Sequence, residues 1–216
     1  MSKEKEESII DEIWVTKFDE ESAQHFRRQV LTFARMDPTA IIPIYIDSYG
    51  GFVDSLAKML ETMDEVPNRF VTVCMGKAIS CGAMLLSHGD LRFCGPLSRV
   101  MVHNISVGSW GDAYALRADS DEALRMNRKF MGLLAQNCGT TYEQLQHTIK
   151  ESVGSKEIWM DAEAALKFNI VDKVGIPVMS ASISWSFEIP DPKPRVDRKI
   201  VKKSVSKKVK KVKKSR

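Results

Sequence analysis

The sequence predicts an α/β fold, in which a largely parallel sheet is covered by helices. Three observations predict it. Short apolar segments alternate along the chain with longer segments whose apolar residues recur every three to four positions. Two of the apolar segments run straight into turns of glycine and small residues, DSYGG (47–51) and GKAISCG (76–82), as strands do where they hand over to helices. The 216 residues, 44% of them hydrophobic, suffice for one substantial core.

Taken in order, EIWVTKF (12–18) alternates as a strand does. Residues 19–36 read as a helix, with Ala23, Phe26, Val30, Phe33 and Ala34 on one face and acidic residues in the first turn. IIPIYI (41–46) is an apolar strand, broken by DSYGG, and 52–66 form the next helix. A strand over 70–75 leads through a turn at Ser80 into a short helix ending near Ser87. SRVMVH (98–103) is another strand, and 104–112, with two glycines, is extended. The longest helix covers about 113–137, with Gly139 placed to stop it. TYEQLQHTIKESV (141–153) and DAEAALKFN (161–169) are two more helices, and IVDKV (170–174) is a closing strand.

Bulk properties narrow the class. No run of about 18 apolar residues exists, so no membrane span is expected. The charged start, MSKEKEESIIDE, lacks the apolar stretch of a secretory signal. Cys74, Cys81, Cys94 and Cys138 have neither metal spacing nor disulfide density and read as free thiols in a reducing, cytoplasmic setting. No cofactor or metal is expected. The net charge of +4 conceals an asymmetry: residues 193–216 carry 13 Lys and Arg against one Asp, and the rest carries 19 basic against 27 acidic residues. Residues 1–180 therefore read as an acidic globular domain, the proline-containing 181–192 as a linker, and 193–216 as a disordered basic tail.

A serine hydroxyl is a poor nucleophile until a base takes its proton and donors await the oxyanion. Ser80 falls where a helix starts, so its own N–H and that of Cys81 are expected to be free of helical bonds. Gly82 and Ala83 leave room for a substrate backbone. Read from this stretch alone, a capping serine is the commoner explanation, and both readings stay open. The candidate base is His103, which ends one strand as Ser80 follows another; in a parallel sheet both lie at the carboxyl edge. His25, His88 and His147 are taken as surface residues. The Gly-Gly of DSYGG can expose a further backbone N–H, or be a plain turn. Cys81 as nucleophile is the remote option, since its side chain points about 100° further round the helix.

Together these motifs resemble the Clp protease proteolytic subunit family (ClpP). IYIDSYGG is similar to that family's strand ending in a Ser-Pro-Gly-Gly turn, VCMGKAISCGAMLLSHG to its nucleophile motif and SRVMVHN to its histidine motif. WMDAEAALKFNIVDKV is similar to its closing helix and strand, so the likeness runs from about Glu12 to Val174. The resemblance implies a ClpP/crotonase-type spiral of strand-strand-helix units with a protruding helical handle at about 104–138. It implies Ser80 as nucleophile, His103 as general base, and the N–H groups of Gly51 and Cys81 as the oxyanion hole. Glu157 stands where the family has an aspartate completing the triad, and Asp161 aligns as a helix cap. Stacked homo-oligomeric rings, polypeptide substrates and an ATPase unfoldase partner are implied as well. Departures are Tyr49 in place of proline, Ile105 after the histidine motif, and Trp110-Gly111 in the handle. Against the family the N-terminus reads as truncated before the first strand, so the loops that line the family's axial entrance are expected to be largely missing, and the basic tail has no counterpart in the family.

The function expected is a serine endopeptidase acting on unfolded or scaffold-like polypeptides, in the manner of a phage-encoded member. The alternatives are a catalytically silent regulatory subunit and a crotonase-type acyl-CoA enzyme. The tail can neutralise several phosphates or dock on an acidic protein; lacking aromatic residues, it has no stacking platform for reading bases.

Overall fold

The computed structural model describes residues 12–152 and 156–177. Its elements are β1 (Ile13–Val15), α1 (Glu20–Met36), β2 (Ile42–Ser48), α2 (Val53–Glu65), β3 (Phe70–Ile79), α3 (Cys81–Ser87), β4 (Leu91–Cys94), β5 (Arg99–His103), α4 (Ala113–Asn137), α5 (Tyr142–Glu151), β6 (Glu157–Asp161), α6 (Ala162–Lys167) and β7 (Lys173–Val174). Local chemistry starts the helices where the sequence implies. Asp19 caps α1 through Ser22 N, Asp112 caps α4 through Tyr114 N and Ala115 N, and Asp161 caps α6 through Ala164 N. Thr141 and Gln144 form a reciprocal capping box on α5. Gly139, at φ +69°, ends α4 as expected.

β1, β2, β3, β4 and β7 pair in that order, all parallel. β5 also runs parallel to β3, and β6 lies antiparallel on β5. The central strands are buried and read as continuous apolar runs, as parallel strands covered by helices do. Ile42, Ile44 and Ile46 of β2 pack with Phe26 and Val30 of α1, Leu56 and Met59 of α2, and Met131 and Leu134 of α4 in one cluster. Each such side chain stabilises the fold by roughly 1.5–3 kcal/mol relative to exposure.

β3 is the element that positions the site, because it serves two neighbours in succession. Val71–Cys74 pair with Leu91–Cys94 of β4, and Lys77–Ile79 pair with Arg99–Met101 of β5. The exchange occurs at Gly76, whose φ of +95° suits glycine and whose missing Cβ would lie 2.9 Å from the Asp47 carboxylate. Ser98 bridges the junction: its Oγ accepts Gly76 N–H at 2.8 Å and donates to the Cys74 carbonyl at 3.2 Å. Arg92 then ties β4 to the end of the fold. Its Nε and Nη2 donate to the Asp172 carboxylate and its Nη1 to the carbonyls of Asn137 and Asn169.

The N-terminal half of α4 stands clear of the core, and burial begins at Asn127, giving the protruding handle that the resemblance implies. Four readings need correction. GKAI (76–79) is strand rather than turn, since pairing with β5 carries β3 past Gly76. β4 and the strand character of Glu157–Asp161 escaped notice because short segments show their state only through their partners. Residues 104–112 carry no strand assignment; among the described residues nothing pairs with them as a ladder. His88 is not a surface residue: its side chain is 16% exposed and its Nε2 lies 3.0 Å from Asp64 Oδ1. The linker 181–192 and tail 193–216 lie outside the described residues.

Candidate active site

Ser80 occupies the single residue between β3 and α3, at φ +57° and ψ −116°. That is a conformation L-residues rarely adopt, and it costs of the order of 1–3 kcal/mol wherever the surroundings impose it. Two features impose it here. The Ser80 N–H donates to the Met101 carbonyl of β5 at 2.9 Å, while its own carbonyl already accepts from Ala83 and Met84 as the first turn of α3. The backbone must therefore reverse from strand to helix within one residue. Ser80 makes no side-chain capping hydrogen bond, so the capping reading is corrected: its hydroxyl is not committed to the helix. The expectation that its own N–H is free is also corrected, because β5 takes it. The Cys81 N–H, in the first turn of α3, has no acceptor among the described residues.

The DSYGG turn lies against this corner. A Cβ on Gly50 would stand 2.9 Å from Ser80 Cβ and 3.3 Å from Cys81 N, so only glycine fits at that approach. Gly51 bridges to Phe18, and its carbonyl accepts the Cys81 thiol at 3.3 Å. Gly51 and Cys81 are thus neighbours beside Ser80. Burial pushes the Cys81 thiol up, away from the reactive thiolate, which leaves the hydroxyl as the nucleophile candidate of the pair.

His103 ends β5. The register Ile79↔Met101 brings the carboxyl ends of β3 and β5 side by side, so Ser80 and His103 share one edge of the sheet although 23 positions separate them. In the antiparallel ladder His103 stands directly opposite Glu157. Half-burial holds the imidazole below its ordinary value, and the negative charge of Glu157 opposes that shift. The Glu157 carboxylate accepts Trp159 Nε1–H at 2.9 Å, and among the described residues the His103 imidazole makes no hydrogen bond in this conformation. Asp161, four residues on, is occupied in capping α6, as the sequence implies.

The residues around His103 that the sequence reading missed are polar. Asn104, Asn127 and Gln146 form an amide cluster at the exit of β5. A signal was present: Asn127 falls on the apolar stripe of α4 that continues with Phe130, Met131 and Leu134. Among the described residues no group of three His, Cys, Asp or Glu side chains gathers as a metal site.

A parallel sheet flanked by helices, with a hydroxyl at a strained strand-to-helix corner and an imidazole on the adjoining strand end, defines an α/β protein of the ClpP type. The chain belongs to the Clp protease family, which matches it over residues 5–177. It is 34% identical over 161 residues to the ATP-dependent Clp protease proteolytic subunit 2 of Corynebacterium diphtheriae, an alignment covering 74% of this chain and 78% of that protein. No helix among the described residues is long and apolar enough to cross a membrane.

Proposed function

We propose that this chain is a serine endopeptidase of the ClpP type, cleaving unfolded or scaffold-like polypeptides within an oligomeric chamber. The observation that carries the reading is the uncommitted hydroxyl of Ser80, held in a strained conformation just past the end of the strand beside the one that ends in His103. A side chain that neither caps its helix nor relaxes its backbone is what a nucleophile corner requires.

In this reading Ser80 Oγ attacks the scissile carbonyl and His103 removes its proton. The Gly51 and Cys81 N–H groups receive the oxyanion. The tetrahedral adduct collapses, breaking the C–N bond, and His103 returns the proton to the leaving amine. Water, deprotonated by His103, then hydrolyses the acyl-enzyme and restores the hydroxyl. Glu157 orients the imidazole and stabilises its cation. It needs one side-chain rotation away from Trp159 to do so, within the reach its register opposite His103 provides.

The test is covalent labelling. A fluorophosphonate probe is expected to add once per chain, with the adduct mapped to Ser80, and Ser80→Ala is expected to abolish both labelling and peptide cleavage while keeping a cooperative melt. An adduct on another residue would overturn the assignment. The name of the relative speaks of ATP dependence, and an ATPase unfoldase is the partner proposed by extension. The buried free thiols favour action in a reducing cytoplasm. The basic tail 193–216 is proposed as a docking segment for nucleic acid or an acidic protein.

The Glu157–Trp159 hydrogen bond favours one second reading, a silent ClpP-like subunit that regulates or scaffolds an active ring. It calls for co-purification with an active partner and no labelling of this chain.

A further inference from the structure

We propose that Asn127 is a positioning residue for His103, acting through Asn104, an inference that rests on the peptidase reading above. His103 is the last residue of β5 and of its ladder to β6. Beyond it the chain has no strand partner among the described residues before α4 begins at Ala113. The backbone of a general base would here be the free end of a ladder, and a displacement of about an ångström at such a group costs about 100-fold in rate.

Three amide side chains hold that end. The Asn104 Oδ1 accepts two N–H groups, from Asn127 Nδ2 of α4 at 3.0 Å and from Gln146 Nε2 of α5 at 2.8 Å. The Asn127 Oδ1 accepts the Ile105 backbone N–H at 2.9 Å. A single side chain therefore clasps both residues that follow His103, one through its side chain and one through its backbone. Asn127 is 8% exposed and sits on the inward stripe of α4, four and seven residues before the fully buried Met131 and Leu134. An apolar residue would pack there without desolvating an amide, so both polar ends of Asn127 must be satisfied to be tolerated, and both are satisfied by the segment leaving His103. The anchor is a helix interior rather than a loop, which gives it the rigidity that placing a base demands.

The experiment compares Asn127→Ala and Asn127→Asp with Lys129→Ala, an exposed site on the same helix, as control. Three quantities are read on the full chain: the melting transition, kcat and KM on a fluorogenic peptide, and the His103 ring resonance by NMR. Asn127→Ala is expected to stay folded, to lose kcat by about tenfold or more with KM within about twofold, and to shift the His103 resonance. Asn127→Asp keeps the acceptor for Ile105 N–H and loses the donor to Asn104, so its kcat is expected to fall between. Lys129→Ala is expected to match the parent. A folded Asn127→Ala with kcat within about twofold of the parent and an unmoved His103 resonance would overturn the proposal. If Asn127→Ala does not fold, Asn104→Ala removes the acceptor of the Asn127–Asn104 hydrogen bond and is read the same way. If the parent neither turns over nor labels at Ser80, the peptidase reading fails, and the ring resonance alone decides whether Asn127 holds the imidazole.

Discussion

At residue scale the chemistry gathers in side chains whose surroundings oppose their comfort. Ser80 holds φ +57° because β5 takes its N–H while α3 takes its carbonyl. Replacing it with glycine removes the steric penalty, and replacing it with alanine does not. Ser80→Gly is therefore expected to be more stable than Ser80→Ala by about 1 kcal/mol, with both inactive, as differential scanning calorimetry can measure. His103 is pulled in two directions: burial lowers its pKa and Glu157 raises it. The neutral, proton-accepting imidazole thus persists below the ordinary histidine value near 6.5, and the acid limb of kcat/KM is expected below that pH. Glu157→Gln removes that raising influence, so the limb should move to still lower pH while the maximal rate falls. A limb that moves upward would show that Glu157 does not face the imidazole.

At the scale of elements, β3 decides most. Its first half belongs to β4 and its second to β5, and Gly76 and Ser98 make the exchange. Were β3 to keep β4 as neighbour throughout, Ser80 would lack the bond to Met101 that bends it. The lock on β4 is the Arg92–Asp172 pair, in which the guanidinium side chain is 9% exposed. Asp172→Ala leaves that charge buried and unpaired, and is expected to cost about 3 kcal/mol, seen as a melting point roughly 6–12 °C lower. The Arg92 guanidinium holds the Asp172 carboxyl below the usual carboxylate range. The sign follows: the contribution is complete above about pH 4 and is lost as pH falls through the depressed value, so parent and variant should converge in stability in strong acid.

At the scale of the molecule, the exposed half of α4 is the feature that a lone chain does not explain. Tyr114 and Leu124 stand 87% and 65% exposed, with Trp110 just before the helix at 89%. We propose that in stacked rings, as the family resemblance implies, these residues meet their counterparts in an opposing ring. Tyr114→Asp together with Leu124→Asp is expected to halve the sedimenting mass, leaving single rings with Ser80 still reactive to the probe. Unchanged mass would place the ring contact elsewhere. Deleting 193–216 is expected to abolish retention on DNA-cellulose at low salt, and the parent's retention should fall steeply as salt rises, since up to thirteen cations neutralise phosphates.

The sequence by itself determined the α/β class, the order and approximate span of the longer helices, the capping at Asp161, and the candidates Ser80, His103, Glu157, Gly51 and Cys81. Periodicity, caps and turn glycines are local properties, written within a dozen residues of where they act. Tertiary structure alone decided that Ser80 does not cap its helix, that β3 changes partners at Gly76, that His88 is partly buried on Asp64, and that Asn104, Asn127 and Gln146 converge behind His103. Those outcomes depend on strand register and on helices packed across 23 to 42 residues of sequence, and no short segment specifies which distant backbone will take its hydrogen bonds.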